Sequence, residues 1–354
     1  MTTSLAVDRH ALLHNLLVLE TLTKEKGVSM SVVTKGLAGH KGLAGLLVEN
    51  GADSICEANV RNLKKFEDLP AEKWLIRSPL ISEADDVVRF ADVSLVSELS
   101  VLKRLSEAAA AARRPHKAVV MLELGELREG CMPDEVIPLC KACLSMPGIT
   151  LHGIGTHLSS MSEIVPDENN MSELAKAADM IEQTLGIRLP VISGGSSSSV
   201  KMLAEGRLPA RINHLRIGEA ILLGNIVCYD VPFEGARCDV FTLNAEIIEV
   251  KEKPSVPWGS RAPGATPIED DPAFCDKGIR KRALVAVGKQ DVFSKYLVPL
   301  DKDIKILGDT SDCLIADVTD CKKPYKPGDT VSFRLRYNGL VSAMASDSVE
   351  KILA

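Results

Sequence analysis

Five places in the chain set a charged or hydroxyl side chain directly behind a short apolar run. Lys35 follows the run over 28–34 and precedes Gly36. Gly125-Glu126-Leu127-Arg128-Glu129-Gly130 follows the run over 118–124, and Thr156-His157 closes one that begins at Thr150. Ser193-Gly194-Gly195-Ser196-Ser197-Ser198-Ser199 ends a fourth, and Arg216 lies within Leu215-Arg216-Ile217-Gly218. A lysine amine relieved of its proton is a nucleophile, and burying one is costly unless something uses it. Glycines let a backbone approach a ligand closely, and hydroxyls and the N–H groups of a helix start attract an anion, so the Gly-Gly-Ser run suits a phosphate. A guanidinium keeps its charge and wants a planar acceptor. Plainer readings exist for each: a solvated lysine closing a strand, a structural histidine, a flexible polar loop, or ion pairs of Arg128 and Arg216 with Glu123, Glu129 or Glu219.

What positions these residues is an alternation that runs from residue 9 to about 225. The β-branched runs predict strands over 28–34, 53–56, 74–77, 93–96, 118–124, 150–156, 190–193 and 214–217. Apolar helical stretches over 11–23, 42–51, 60–66, 83–90, 101–112 and 134–146 fall between them. This rhythm is that of a (β/α)8 TIM-like barrel over 9–225, with an open doubly wound sheet as the structural alternative. No GxGxxG follows the first strand, so a dinucleotide version has no support. After Asn225 the pattern becomes alternating and β-rich, with a polar Pro/Gly loop over 254–279 and strands over 282–287, 304–307, 314–318 and 330–337. These predict a mainly antiparallel β domain over 226–354, with residues 1–8 a candidate addition. In a barrel all five clusters fall at the C-terminal ends of strands, on the face where such folds keep their chemistry. A lysine, an anion cradle and a stacking histidine in one mouth suggest pyridoxal 5'-phosphate, the lysine bonding covalently to its aldehyde.

Composition narrows the field further. The chain has 354 residues and a net charge of −6, with no basic stripe or aromatic-interleaved basic patch, which argues against a nucleic-acid partner. No apolar run reaches the ~18 residues that a membrane span needs. The N-terminus carries an acid and lacks the basic start of a signal peptide. Nine cysteines are scattered singly, and the one CxxC, Cys140 to Cys143, has no second pair at zinc spacing. Reduced thiols, a cytoplasmic location and no metal site are expected.

The phrases behind the strands resemble those of the alanine-racemase and ornithine-decarboxylase class of pyridoxal-phosphate enzymes, over almost the whole chain from Leu5-Ala6-Val7-Asp8. The lysine motif of that class matches Val33-Thr34-Lys35-Gly36-Leu37-Ala38-Gly39-His40. Its Gly-x-x-Arg-x-Gly loop is similar to Gly125–Gly130 with Arg128, its Thr-His pair to Thr156-His157, and its Arg-x-Gly segment to Arg216-Ile217-Gly218. The resemblance implies that Lys35 is a catalytic base and the cofactor's covalent anchor. It places His157 on the cofactor ring, Ser193, Gly194, Gly195, Ser196 and Ser197 at the phosphate, and Arg216 on the pyridine nitrogen. Arg128 then takes the substrate carboxylate or orders the opposite base. Within the class the likeness is to ornithine racemases and related amino-acid racemases, through Val287-Gly288-Lys289-Gln290-Asp291, Leu307-Gly308-Asp309-Thr310-Ser311-Asp312-Cys313 and Arg336-Tyr337-Asn338-Gly339-Leu340-Val341-Ser342-Ala343-Met344. The last phrase makes Tyr337 a cofactor contact.

The class forms head-to-tail homodimers, so these C-terminal residues are expected in the partner's site. Alanine racemases carry a tyrosine shortly after the lysine and a second as the opposite base; this chain lacks the first and has Lys289 at the second. A plain alanine racemase is therefore disfavoured. Two-base exchange of the α-proton needs another group, for which Cys313 leads and Ser311, Lys289 and Asp312 remain. Asp312 matches the aspartate with which the decarboxylases hold a distal ammonium, which favours ornithine or lysine as substrate. The alternatives are a decarboxylase of basic amino acids and a non-catalytic pyridoxal-phosphate protein. The segment 159–173 reads as a long loop and a candidate lid.

Overall fold

The β-branched runs form eight parallel strands, Ser29–Val33, Ser54–Glu57, Glu72–Leu75, Val93–Val96, His116–Met121, Ile149–Gly155, Val191–Ser193 and His214–Ile217, which close into a barrel. Closure is made by the first strand pairing with the last, with Ser31 opposite Arg216, so the open sheet is ruled out. The structure, a computed structural model, describes residues 3–353 apart from 227, 230, 261 and 265–274. The expected polar loop over 254–279 lies partly outside the described residues.

Inward-facing Val33, Cys56, Trp74, Val93, Leu95, Val119 and Met121 fill the barrel, as the side-chain layers of such barrels do. Between the strands and the outer helices lies a larger apolar layer that includes Val87, Leu102, Leu105, Leu139, Leu174 and Ile181. The helix Leu99–Ala112 shows how the sequence builds it: Leu102, Leu105, Ala108 and Ala109 recur at helical spacing and are buried, and the helix stops at Arg113 in the left-handed region.

One helix, Glu168–Leu185, lies where part of a long loop is expected. Asp167 caps it in a reciprocal pair with Asn170, and Gly186 ends it in the left-handed conformation. Its start at residue 168 shortens the expected 159–173 loop.

Two compact units emerge, His10–Cys238 and the described residues on either side of it. The barrel unit extends past residue 225 because Asn15, buried on the helix Arg9–Glu25, holds the following chain. Its Nδ2 donates to the carbonyls of Ile221 and Arg237, and its Oδ1 accepts from the Arg237 amide at 2.7 Å.

In the second unit the long strand Phe241–Pro254 pairs antiparallel with Ile279–Val285, Thr330–Leu335 and Ser4–Val7. Leu314–Asp317 and then Lys305–Asp309 continue the sheet. Phe241, Leu243, Ala245 and Ile247 alternate inward, which makes one face of this strand the core. The expected strand over 330–337 stops at Leu335, and Tyr337 opens a helix, Tyr337–Ala345, that buries Leu340, Ala343 and Met344.

Candidate active site

Lys35 stands where the first barrel strand ends. Thr34 leaves the sheet with its amide on the Cys56 carbonyl at 2.9 Å, and Lys35 opens a single 3-10 turn that closes through Ala38 and Gly39, both at positive φ. The lysine is half-buried, and burial first, then the Arg128 charge ahead of that of Arg216, holds its ammonium below the usual lysine range. A larger share of neutral amine follows, which is the reactive form.

Glu57, at the end of the second barrel strand, was not among the expected site residues. It is 1% exposed and holds both flanks of the lysine turn. Thr34 Oγ1 donates to its Oε1 at 3.0 Å, and Asn62 Nδ2 to its Oε2 at 3.2 Å. Asn62 in turn sits against Gly39, where a Cβ would fall 2.4 Å from its Oδ1. Burial pushes the Glu57 carboxyl up to about 7, against the pull of Asn62, Thr34 and Lys35.

The Gly-Ser loop is built for close approach. Gly194 packs on Ile212, where a Cβ would lie 2.5 Å from Cγ2, and Gly195 has φ +105°. Ser197 Oγ accepts from the amides of Gly218 and Ala220 at 3.2 and 3.1 Å, which ties the cradle to the turn behind the last strand. Ser199 Oγ donates to the Gly194 carbonyl at 2.6 Å. Gly194, Gly195, Ser196 and Ser197 form this loop, and Ser193 stands just before it, within the expected strand over 190–193. It belongs to the strand, fully buried, and its hydroxyl is taken by Arg216 Nη1 and by His214 Nδ1 at 2.9 Å.

That hydroxyl belongs to a polar seam through the barrel that sequence reading did not find. Ser54 and Ser31 hydroxyls meet at 2.6 Å, Ser31 meets His214 Nε2 at 2.8 Å, and His214 leads through Ser193 to Arg216. His214 stacks on Trp74 at 4.8 Å, and burial holds it neutral, near 3. His214 and Arg216 are two apart on one strand and so share a face, which was the available signal. Arg216 is 2% exposed and also donates through Nη2 to the Thr156 carbonyl at 2.8 Å. Among the described residues none of its hydrogen bonds goes to a carboxylate. Nearby His157 is half-buried, and burial, then Arg216, Arg128 and Lys35, keep it neutral.

The loop behind the fifth strand carries three glutamates with separate tasks. Glu123 accepts from the amides of Gly125 at 2.6 Å and Arg128 at 3.2 Å. Glu126 gathers the neighbouring 159–164 segment, accepting from the amides of Ser159, Ser160, Met161, Ser162 and Ile164. Glu129 forms a two-pronged ion pair with Arg128 Nε and Nη2. The ion-pair alternative for Arg128 is therefore realised in this structure.

These donors fit pyridoxal phosphate. A cradle that side chains at 194 and 195 would obstruct, a neutral imidazole, a buried guanidinium paired with neutral acceptors and a lysine inclined to lose its proton all lie behind the strand ends.

In the β unit, the four candidates for the second acid/base come together although 22 residues separate the first two. Lys289 and Gln290 donate their amides to the carbonyls of Thr310 and Ser311 at 2.9 and 3.0 Å, and a Cβ on Gly288 would lie 2.4 Å from the Asp312 nitrogen. Ser311 and Asp312 are exposed and Cys313 half-buried. Burial and then Asp312 push the Cys313 thiol up. Tyr337 is half-buried in the first turn of its helix.

Residues 7–225 match the family model of the alanine racemase N-terminal domain. The ornithine racemase of Acetoanaerobium sticklandii is 36% identical over 354 residues, all of both chains. The lysine racemase of Thermotoga maritima is 34% identical over 333 residues, 94% of this chain and 92% of that one. Among solved structures, the alanine racemase of a D-cycloserine-producing Streptomyces lavendulae superposes with a TM-score of 0.76 at 16% identity, covering 100% of this chain and 97% of that one. The Bartonella henselae alanine racemase, with covalently bound pyridoxal phosphate, gives 0.74 at 16% identity over all of both chains. With a lysine and two arginines arranged at the strand ends and a family match across the entire barrel, the chain belongs to the alanine racemase N-terminal domain family.

Proposed function

We propose that this protein racemises a free basic amino acid, ornithine or lysine, with pyridoxal 5'-phosphate held in the barrel mouth. The observation that carries this is the half-buried Lys35 amine, kept toward its neutral form by burial and by Arg128 and Arg216. The full-length likeness to an ornithine racemase and the near-full-length likeness to a lysine racemase support the basic substrate.

The residues divide the work. Gly194, Gly195, Ser196 and Ser197 hold the cofactor phosphate, His157 lies against its ring, and Arg216, fixed by Ser193 and Thr156, meets its ring nitrogen. When bound, the cofactor draws electrons from the substrate's α-carbon and so acidifies the α-hydrogen. Lys35 Nζ takes or returns that proton on one face of the substrate. Cys313 Sγ serves the other face, supplied by the partner chain of a homodimer, and Tyr337 comes with it as a cofactor contact. Lys289 and Ser311 flank that thiol in the same pair of turns. Arg128 binds the substrate carboxylate, and the resemblance offers Asp312 for the distal ammonium. Nine free thiols fit a reducing cytoplasm, and among the described residues no helix is long and apolar enough to cross a membrane.

Following solvent deuterium into the α-position of L-ornithine, together with the appearance of D-ornithine, tests this reading. Exchange with inversion is expected from the wild type and none from Lys35→Ala. Release of carbon dioxide instead would replace racemisation with decarboxylation.

A further inference from the structure

Glu129 has no part in the chemistry so far, yet its charge is felt there. Its carboxylate acts on the Lys35 ammonium and on Arg216, as does the Arg128 charge. Backbone hydrogen bonds close the loop that carries the pair. Leu122 bridges to Cys131, with the Cys131 amide on the Met121 carbonyl at 2.8 Å and the Glu123 amide on the Cys131 carbonyl at 3.0 Å. Gly130 has φ +149°, and a Cβ there would lie 2.5 Å from the Glu123 nitrogen, so the closure needs this glycine. Arg128 and Glu129 are thereby held side by side at the loop's end, with 36% and 18% of their side chains exposed.

The reading above sends Arg128 to the substrate's α-carboxylate. That exchange removes the guanidinium from Glu129 and leaves a mostly buried carboxylate without its counter-charge, a costly state. A substrate bearing a distal ammonium supplies the missing charge, and one with a methyl end does not. We infer that Glu129 forms the subsite for the substrate's distal ammonium, the Arg128–Glu129 pair standing in for the two charges that a basic amino acid brings. The inference rests on the racemase reading and assigns to the barrel a task that the resemblance gave to Asp312. Discrimination then comes from an unpaired group left behind by the wrong substrate, which is the stronger form of selectivity.

L-ornithine and L-norleucine, which has a methyl in place of the distal ammonium, are the probes. Two quantities are compared in the wild type, Glu129→Gln and Asp312→Asn: the ratio of kcat/KM for the two amino acids, and the ratio of their binding constants from calorimetric titration. Glu129→Gln is expected to cut both ratios roughly 30- to 100-fold, and Asp312→Asn to change them less than about threefold. A fall in both amino acids by the same factor in Glu129→Gln would show that Glu129 only steadies Arg128, and would overturn the inference. Retention of the ratios in Glu129→Gln with their loss in Asp312→Asn would overturn it as well. A wild type that exchanges the α-hydrogen of neither amino acid fails the racemase reading itself, and this subsite with it. A wild type that exchanges both equally well fails the subsite alone.

Discussion

The barrel mouth and the paired turns of the β unit hold chemical groups in opposite ways. In the mouth the turns and loops that carry the groups are held before any ligand arrives. Arg216 is fixed by Ser193 and Thr156, the Lys35 turn by Glu57 and Asn62, and the Arg128 loop by Glu123. Burial does the tuning there, shifting Lys35 and His157 toward neutrality and Glu57 toward its acid form. In the turns around Asp312 the side chains are exposed, and their hydrogen bonds go to neighbours such as Thr310. A preorganised site has its reorganisation cost met during folding. The mouth is completed by folding, whereas the exposed turns leave room for the partner chain that the proposed function calls for.

Of the groups in the two regions, Cys313 is expected to weigh most on activity. Cys313→Ala is expected to lower racemisation ~10²- to 10⁴-fold, the usual weight of a general acid or base. It should still exchange the α-hydrogen of one enantiomer with solvent, with retention, because Lys35 serves its own face unaided. Proton NMR in deuterium oxide on each pure enantiomer reads both effects. Full racemisation would remove the thiol from the reaction. Mixing Lys35→Ala with Cys313→Ala sharpens the test: if the two halves come from different chains, reassortment rebuilds about a quarter of the intact sites. Continued inactivity after exchange of subunits would place both groups in one chain.

Glu57 sets the next scale. Its folded-state affinity for a proton is raised, so its contribution to stability is complete below the ordinary carboxylate range and is lost as pH climbs through about 7. Glu57→Gln cannot titrate. Its stability relative to the wild type should therefore improve between pH 5 and 8, by about 3 kcal/mol at most. Denaturant melts of both proteins at the two pH values measure this. A difference that does not change with pH would mean that the carboxylate is already charged in the fold.

How much of this could be read from the chain depends on the distance over which each feature is decided. The barrel follows from local alternation, and Lys35, Arg128, His157 and Arg216 are legible because they stand at strand ends. Glu57 was passed over because it sits one residue beyond the expected strand, where an acid reads as an ordinary helix start. The seam from Ser54 to Arg216 links residues up to 183 apart, and only the spacing of His214 and Arg216 marks it locally. Ser193 is legible as the last residue of its strand, but nothing in a string of serines shows that its hydroxyl is held by Arg216 and His214. The helices Glu168–Leu185 and Tyr337–Ala345 were hidden by polar residues in the first and by an aromatic-glycine start in the second. The capping pair Asp167–Asn170 was the signal for the first.

The smallest expected effect tests whether the exposed turn is a tuned surface or only a corner of the sheet. Asp312 is exposed, and its carboxylate accepts from Thr310 Oγ1 at 2.9 Å, a bond that water can replace. Asp312→Asn should therefore leave the melting temperature at its wild-type value. The Cys313 thiol is raised by burial first and by the Asp312 charge second. Removing that charge leaves the burial contribution and lowers the thiol's pKa, so the variant's thiolate forms at lower pH. Alkylation of Cys313 in the intact protein, followed peptide by peptide across a pH series, should start earlier in Asp312→Asn. An unchanged alkylation profile with unchanged stability would mean that the aspartate faces away from the thiol in solution. The turn would then be only a corner of the sheet, and Lys289 would become the stronger candidate for the opposite face.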